Sequence, residues 1–142
     1  MTLCIFGDSI AWGASDEKGG WVNRFKLSLM DSIHVYNLGI CGDTTNYLLE
    51  RFKVECEARE PTKIVFAIGI NDSSSDSGID IKKFEDNLNE LAKQAKEFTN
   101  NIIFIGLTKV NESKTQVDYL NDKISEYDSV LKKVFFNVFA EP

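Results

Sequence analysis

A serine directly behind a short apolar run is the residue of this sequence best placed to act as a nucleophile. Ser9 closes the turn Gly7-Asp8-Ser9 after the apolar residues 3–6. A strand at that position would hold the serine hydroxyl rigidly at the rim of a sheet. A tetrahedral oxyanion needs preorganised donors nearby, and a glycine N–H and an asparagine amide can both supply them. Gly39 and Asn71 follow the next two apolar runs, so they are the candidate donors.

The elements that position these residues are predicted from the apolar pattern. Residues 3–6, 35–38, 64–68 and 102–105 are mostly continuously apolar, which is typical of strands covered on both faces. Apolar residues at helical spacing lie between them, and Thr44, Thr45 and Asp80 stand where helix N-caps are expected. We expect a fourth helix over residues 117–131 and a fifth strand over residues 135–139. This order predicts a doubly wound parallel sheet that binds ligands at the carboxyl ends of its strands.

Composition narrows the classes of function. The sequence has 142 residues, 43% hydrophobic and 27% charged, which is the balance of a single globular domain. A net charge of -6 opposes binding to a phosphate backbone, so nucleic acid is not an expected partner. Cys4, Cys41 and Cys56 lack any C-x-x-C spacing and predict reduced thiols in a cytoplasmic protein. No apolar run has the length of a signal-peptide core or a membrane span.

Three blocks, in order along the chain, resemble those of the SGNH or GDSL hydrolases. They are Gly7-Asp8-Ser9, then Asn37-Leu38-Gly39 with Gly42-Asp43-Thr44, then Gly69-Ile70-Asn71-Asp72. The resemblance implies that Ser9 is the nucleophile and that its own N–H, the Gly39 N–H and the Asn71 side chain form an oxyanion hole. It also implies an α/β/α sandwich of three layers, with a five-stranded parallel sheet of flavodoxin-like strand order. The implied reaction is hydrolysis of a small-molecule ester or thioester without a metal or other cofactor.

The sequence departs from the family pattern at its carboxyl end. Family members place an Asp-x-x-His block after the fifth strand, and this sequence reaches Pro142 without one. A neutral serine is a poor nucleophile without an adjacent base, so we expect impaired turnover. His34 precedes the second strand and is expected at the opposite end of the sheet. We therefore expect a single domain over residues 1–142, truncated at its C-terminus, whose uncovered apolar face takes a homodimer mate or a missing C-terminal segment.

Other interpretations of the same residues stay open. The chain could be an inactive SGNH-like binding module or a gene fragment, and Ser9 alone could be a turn residue that caps a helix. A receiver-like phosphoacceptor domain would use Asp8, Asp72, Thr108 and Lys109, although receivers place paired acids after the first strand. The pattern does not distinguish an acetyl ester, a lysophospholipid, a thioester and an acylated sugar as substrates.

Overall fold

The protein is built on a parallel sheet, and a computed structural model describes its residues 1–115 and 118–139, without the side chains of residues 138 and 139. The strands are β1 (Thr2–Gly7), β2 (His34–Gly39), β3 (Lys63–Ala67) and β4 (Ile102–Phe104). They lie in the order β2-β1-β3-β4, and every neighbouring pair is parallel. The predicted α/β fold with a parallel sheet is confirmed, because each crossover passes through helical structure.

The helices are α1 (Ser9–Trp12), α2 (Gly20–Leu27), α3 (Thr45–Arg59), α4 (Ile81–Lys96) and α5 (Asn121–Phe139). Helices α3 and α4 begin directly after the predicted capping residues Thr44 and Asp80, whereas Thr45 is the first residue of α3 rather than a cap. The Thr44 hydroxyl caps α3, and the Asp80 carboxylate accepts a 2.8 Å hydrogen bond from the Lys83 N–H at the start of α4. Both side chains satisfy backbone donors that a helix leaves unpaired in its first turn. Within the described part of the chain, no helix is both long enough and apolar enough to cross a membrane.

The two faces of the sheet are covered unequally. Helices α3 and α4 cover one face, where the rings of Phe6, Phe52 and Phe66 form a core with centroids 4.8 Å and 5.4 Å apart along the series. Helix α5 packs mainly on α4, through a second apolar cluster, and it reaches the sheet at Phe104 of β4, whose ring centroid lies 6.1 Å from that of Phe135. The short helices α1 and α2 cover the other face, next to β1 and β2. On that face Ile103 and Ile105 are 42% and 38% exposed.

The predicted fifth strand over residues 135–139 is wrong, because α5 continues through Phe139. Ile124, Tyr127, Leu131 and Val134 are all buried, so the helical spacing of apolar residues extends beyond the predicted end of the helix. A short apolar run can belong to a strand or to a buried helix, and periodicity alone does not separate the two. The sheet of the described residues therefore has four strands rather than five. The helix starts at Asn121 instead of Val117, which lies outside the described residues.

Candidate active site

The three predicted site residues lie at the same end of three neighbouring strands. Gly7, the last residue of β1, pairs with Gly39 at the end of β2 and with Ala67 at the end of β3. Ser9 begins α1 directly after this edge, and Asn71 lies in the loop after β3. Ligands of parallel α/β sheets bind at this edge, so the topology agrees with a site there.

Gly39 lets the end of β2 approach the helix that begins with Ser9. A Cβ atom at this position would lie 2.5 Å from the Trp12 nitrogen and 2.8 Å from the Asp8 carbonyl oxygen. The Gly39 N–H donates to Asn37 Oδ1 at 3.1 Å, and Asn37 Nδ2 donates to the Ala11 carbonyl at 2.8 Å. Asn37 therefore ties β2 to α1. The Gly39 N–H, one of the predicted oxyanion donors, already has an acceptor.

Ser9 is half-buried and carries the first N–H of α1. The first N–H groups of a helix have no intrahelical acceptor, so this donor is available to a ligand. Asp8 caps the helix by accepting a 2.9 Å hydrogen bond from the Ile10 N–H. Among the described residues, none forms a hydrogen bond with the Ser9 hydroxyl. Within residues 1–115 and 118–139 the hydroxyl is therefore not hydrogen-bonded to a base.

The Asn71 amide is held at both of its ends. Its Nδ2 donates to the Asp43 carbonyl at 2.8 Å, and its Oδ1 accepts from the Tyr119 hydroxyl at 2.5 Å. These bonds fix which way the amide faces and leave one Nδ2 proton free for a ligand. The Asp43 carboxylate in turn accepts from Arg51 Nε at 2.9 Å and Nη2 at 2.5 Å. Asp43 therefore shapes the loop that orients Asn71.

Two carboxyl groups are buried next to these residues. Asp8 is 2% exposed and Asp72 is 0% exposed. Burial raises the pKa of Asp8 to about 6, and the charge of Asp43 acts in the same direction. Burial also raises the pKa of Asp72 to about 6, against the opposing effect of hydrogen bonds from Thr45. Burial raises the pKa of Tyr119, and the charge of Asp8 acts in the same direction.

Asp72 joins the loop after β3 to the start of α3. Its carboxylate accepts from the Thr45 N–H at 3.0 Å and 3.1 Å and also from the Thr45 hydroxyl. Asn87 Nδ2 extends the network by donating to Thr45 Oγ1 at 2.9 Å and to Asn46 Oδ1 at 2.7 Å. These contacts and the Tyr119 bond could not be predicted from the sequence, because the partners are far apart along the chain and no local spacing indicates them.

Neither His34 as a base nor the receiver-like interpretation fits the geometry of this site. His34 is exposed at the start of β2, five residues before Gly39, which corresponds to about 17 Å along a strand. Its imidazole therefore lies at the opposite edge of the sheet from Ser9. The receiver-like interpretation needs an accessible Asp72, and that carboxylate is fully buried against Thr45. Residues 1–115 and 118–139 contain no cluster of His, Cys, Asp or Glu suited to hold a metal ion.

Comparison with known proteins decides the family. The sequence model of the GDSL-like lipase/acylhydrolase family matches residues 5–135 of the chain. The chain belongs to this family. Among curated proteins, none matches the chain. The α/β fold class and the hydrolase class predicted from the three sequence blocks are therefore confirmed.

Solved structures of several esterases and lipases share the fold. The lipase/acylhydrolase from Enterococcus faecalis is 25% identical, with a TM-score of 0.81 over 96% of this chain and 72% of that chain. The esterase EstA from Pseudoalteromonas sp. is 22% identical, with a TM-score of 0.77 over 99% of this chain and 74% of that one. The acetylxylan esterase Axe2 from Geobacillus stearothermophilus is 23% identical, with a TM-score of 0.75 over 96% and 72%. At these identities the similarity to EstA and Axe2 shows a common fold and nothing more.

Two cavities flank the segments that carry Ser9 and Asn71. A polar cavity of about 590 Å³ lies beside Asn71, between the start of α3, the loop after β3 and Tyr119. A smaller cavity of about 280 Å³ lies on the Asp8 side and is lined mainly by apolar side chains, among them Ile10, Trp21 and Leu107. In this GDSL-like protein the candidate site is thus bordered by surfaces of opposite character.

Proposed function

We propose that this protein hydrolyses carboxylic esters or thioesters through an acyl-enzyme on Ser9. The observation that carries the proposal is the Asn71 amide, which is clamped by Asp43 and Tyr119 and retains one free proton. Family membership makes ester hydrolysis the expected chemistry. A donor fixed before the reaction stabilises developing charge without having to reorganise during it.

In the proposed reaction the Ser9 oxygen attacks the substrate carbonyl carbon while its proton passes to a base. The oxyanion accepts hydrogen bonds from the Ser9 N–H and Asn71 Nδ2, and from the Gly39 N–H once this donor turns away from Asn37. Collapse of the tetrahedral intermediate breaks the bond to the alcohol or thiol and leaves an acyl group on Ser9. Water then attacks that acyl group and releases the carboxylic acid.

The base is the component that the described residues do not supply. The Ser9 hydroxyl has no hydrogen-bond partner among them, Asp8 caps α1, and His34 lies at the far edge of the sheet. We therefore propose that turnover by the 142-residue chain is impaired. The second candidate function is an SGNH-like module that binds an acylated ligand without cleaving it, and the unpartnered Ser9 hydroxyl favours it.

We also propose how the chain associates and where it resides. A homodimer mate or a further C-terminal segment would cover the exposed Ile103 and Ile105 on the sheet face that α1 and α2 leave open. A cytoplasmic location is in keeping with the three cysteines, which are all free thiols, two of them buried.

Acylation of Ser9 is the direct test of the proposed function. The chain, its Ser9→Ala variant and a Ser125→Ala control would be incubated with p-nitrophenyl acetate, followed by peptide mass spectrometry. Ser125 is exposed on α5 and remote from the site in sequence. We expect p-nitrophenol release above the Ser9→Ala rate, with an acetyl group on the Ser9 peptide of the chain and of the control. Equal rates for the chain and Ser9→Ala, with no acetylated Ser9, would reject the acyl-enzyme.

A further inference from the structure

The cavity beside Asn71 has an unusually polar lining for a small-molecule site. Ligand pockets are mostly lined by hydrophobic and aromatic side chains, with a few polar groups. Here the walls are formed largely by hydroxyl, amide and charged groups, including Thr44, Asn46, Ser74 and Ser77. The volume of about 590 Å³ is within the range of drug-sized ligands. A ligand that fills this space must therefore satisfy many hydrogen-bonding groups, which an alkyl chain cannot do.

The charges on the cavity walls disfavour an anionic ligand. Glu50, Asp76 and Lys83 line the cavity, so its charged groups carry two negative charges and one positive charge. None of these three side chains forms an ion pair with another described residue. A phosphate-bearing ligand would meet the two carboxylates as well as a chain of net charge -6. A neutral hydroxyl can donate to a carboxylate and accept from an ammonium, so it suits both kinds of group.

Two tyrosines add flat surfaces to the same cavity. Tyr47, in the first turn of α3, is 59% exposed and its hydroxyl has no hydrogen bond to the described residues. Tyr119 is half-buried and holds its hydroxyl on Asn71, which leaves its ring as part of the cavity wall. Tyrosine offers an apolar ring with a polar tip. Such rings pack against the C–H faces of a sugar while polar neighbours bond its hydroxyl groups.

We propose that this polar cavity binds the neutral, hydroxyl-rich half of an ester, which makes acylated sugars the substrate class. The inference rests on the proposed function, because the cavity borders Asn71 and would place the sugar next to the acyl group that Ser9 attacks. It separates acylated sugars from the other esters that the sequence leaves open. Lysophospholipids and coenzyme A thioesters carry phosphates that meet unfavourable charge, and simple alkyl esters leave the polar walls unsatisfied.

The test compares three acetyl compounds that differ only in the leaving half. Uniformly 15N-labelled Ser9→Ala protein would be titrated with 6-O-acetylglucose, acetyl-coenzyme A and hexyl acetate, and amide shifts would be followed by two-dimensional NMR. We expect 6-O-acetylglucose to shift the amides of residues 44–47 and 74–77, with a Kd on the order of 1 mM. Acetyl-coenzyme A and hexyl acetate should leave these amides unshifted at the same concentration. The Ser9→Ala background keeps the ligand intact during the measurement.

Matched variants locate the binding in the cavity. Tyr47→Ala should weaken 6-O-acetylglucose binding at least fivefold, whereas Tyr36→Ala, which removes an exposed tyrosine of β2, should leave it unchanged. The inference is overturned if hexyl acetate or acetyl-coenzyme A binds the cavity more tightly, if no cavity amide shifts, or if Tyr47→Ala binds like the parent.

Failure of the sugar site and failure of the acyl-enzyme on Ser9 give different results in these experiments. Sugar binding by Ser9→Ala, combined with no acetylation of Ser9 in the unmodified chain, would reject the acyl-enzyme and leave the sugar site. Acetylation of Ser9 by p-nitrophenyl acetate, combined with an unresponsive cavity, would retain the hydrolase and reject the sugar site.

Discussion

The close approach of β2 to α1 makes Gly39→Ala the most informative single substitution. The added Cβ atom would lie 2.5 Å from the Trp12 nitrogen, 2.8 Å from the Asp8 oxygen and 3.1 Å from the Ala11 carbonyl carbon. All three neighbours are backbone atoms, so no side chain can turn aside to make room. The strain must instead move α1 away from β2, and Ser9 moves with it.

The expected cost follows from the number and kind of these contacts. Extra methyl groups in well-packed regions cost about 1–3 kcal/mol, and a wall of backbone atoms places Gly39→Ala near 3 kcal/mol. For a domain of this size that loss lowers Tm by roughly 10 °C. Gly78→Ala is the matched control, because its added Cβ meets nothing within 4 Å and strains only a φ of +67°. That strain costs about 1–2 kcal/mol.

Thermal unfolding followed by circular dichroism, together with p-nitrophenyl acetate turnover, would measure both effects. We expect Gly39→Ala to lose more stability than Gly78→Ala and to lose its residual turnover. A Tm for Gly39→Ala at or above that of Gly78→Ala would show that β2 and α1 have room to separate. Close packing against the Ser9 turn would then not be the reason for a glycine at position 39.

Four further outcomes are expected. The chain should hydrolyse p-nitrophenyl acetate with kcat/KM below about 10⁴ M⁻¹s⁻¹, because no described residue serves as base; a higher value would reveal one. Tyr119→Phe should lower that rate about tenfold, by freeing the Asn71 amide, at a stability cost of only ~1 kcal/mol in urea unfolding; an unchanged rate contradicts the clamp. The pKa of Asp72 is about 6 in the folded state and 3.8 in the unfolded state, so the folded state binds the proton more tightly. The protonated Asp72 therefore contributes its full stabilisation below pH 3.8, and this contribution is lost as the pH rises through 6. The free energy of unfolding relative to Asp72→Asn should thus fall by ~3 kcal/mol from pH 3.5 to 7 in urea titrations, and a flat or rising difference would contradict the raised pKa. Light scattering should show self-association that grows with concentration and weakens in Ile103→Glu, whereas a strict monomer that binds no hydrophobic dye would show the sheet face to be adequately covered.

The sheet could be predicted from the sequence because its strands are signalled locally. Buried parallel strands are apolar on both faces, so residues 3–6 and 64–68 stand out without any knowledge of their partners. The caps at Thr44 and Asp80 are local as well, since each bonds an N–H three residues ahead. The strand prediction for residues 135–139 was wrong because an apolar run can form a strand or a helix, depending on what it packs against. Val134 is buried in the cluster with α4, and this contact extends the helix.

The site could be predicted only as far as strand ends determine it. Ser9, Gly39 and Asn71 lie at or just after strand ends, so the parallel topology alone assigns them to one edge of the sheet. The partners that orient them come from distant segments: Tyr119 lies 48 residues from Asn71 along the chain. Such contacts arise from tertiary packing, and single-sequence patterns contain no signal for them.

The buried bond between Asp72 and Thr45 has a consequence for ligand binding. It ties the loop after β3 to the first turn of α3, and these two segments form facing walls of the polar cavity. Asn87 secures Asn46 in the same way. The distance between the walls is therefore set when the chain folds, and a ligand need not order them on arrival. Association then loses less conformational entropy, so even a small, weakly held molecule can be bound in a single orientation.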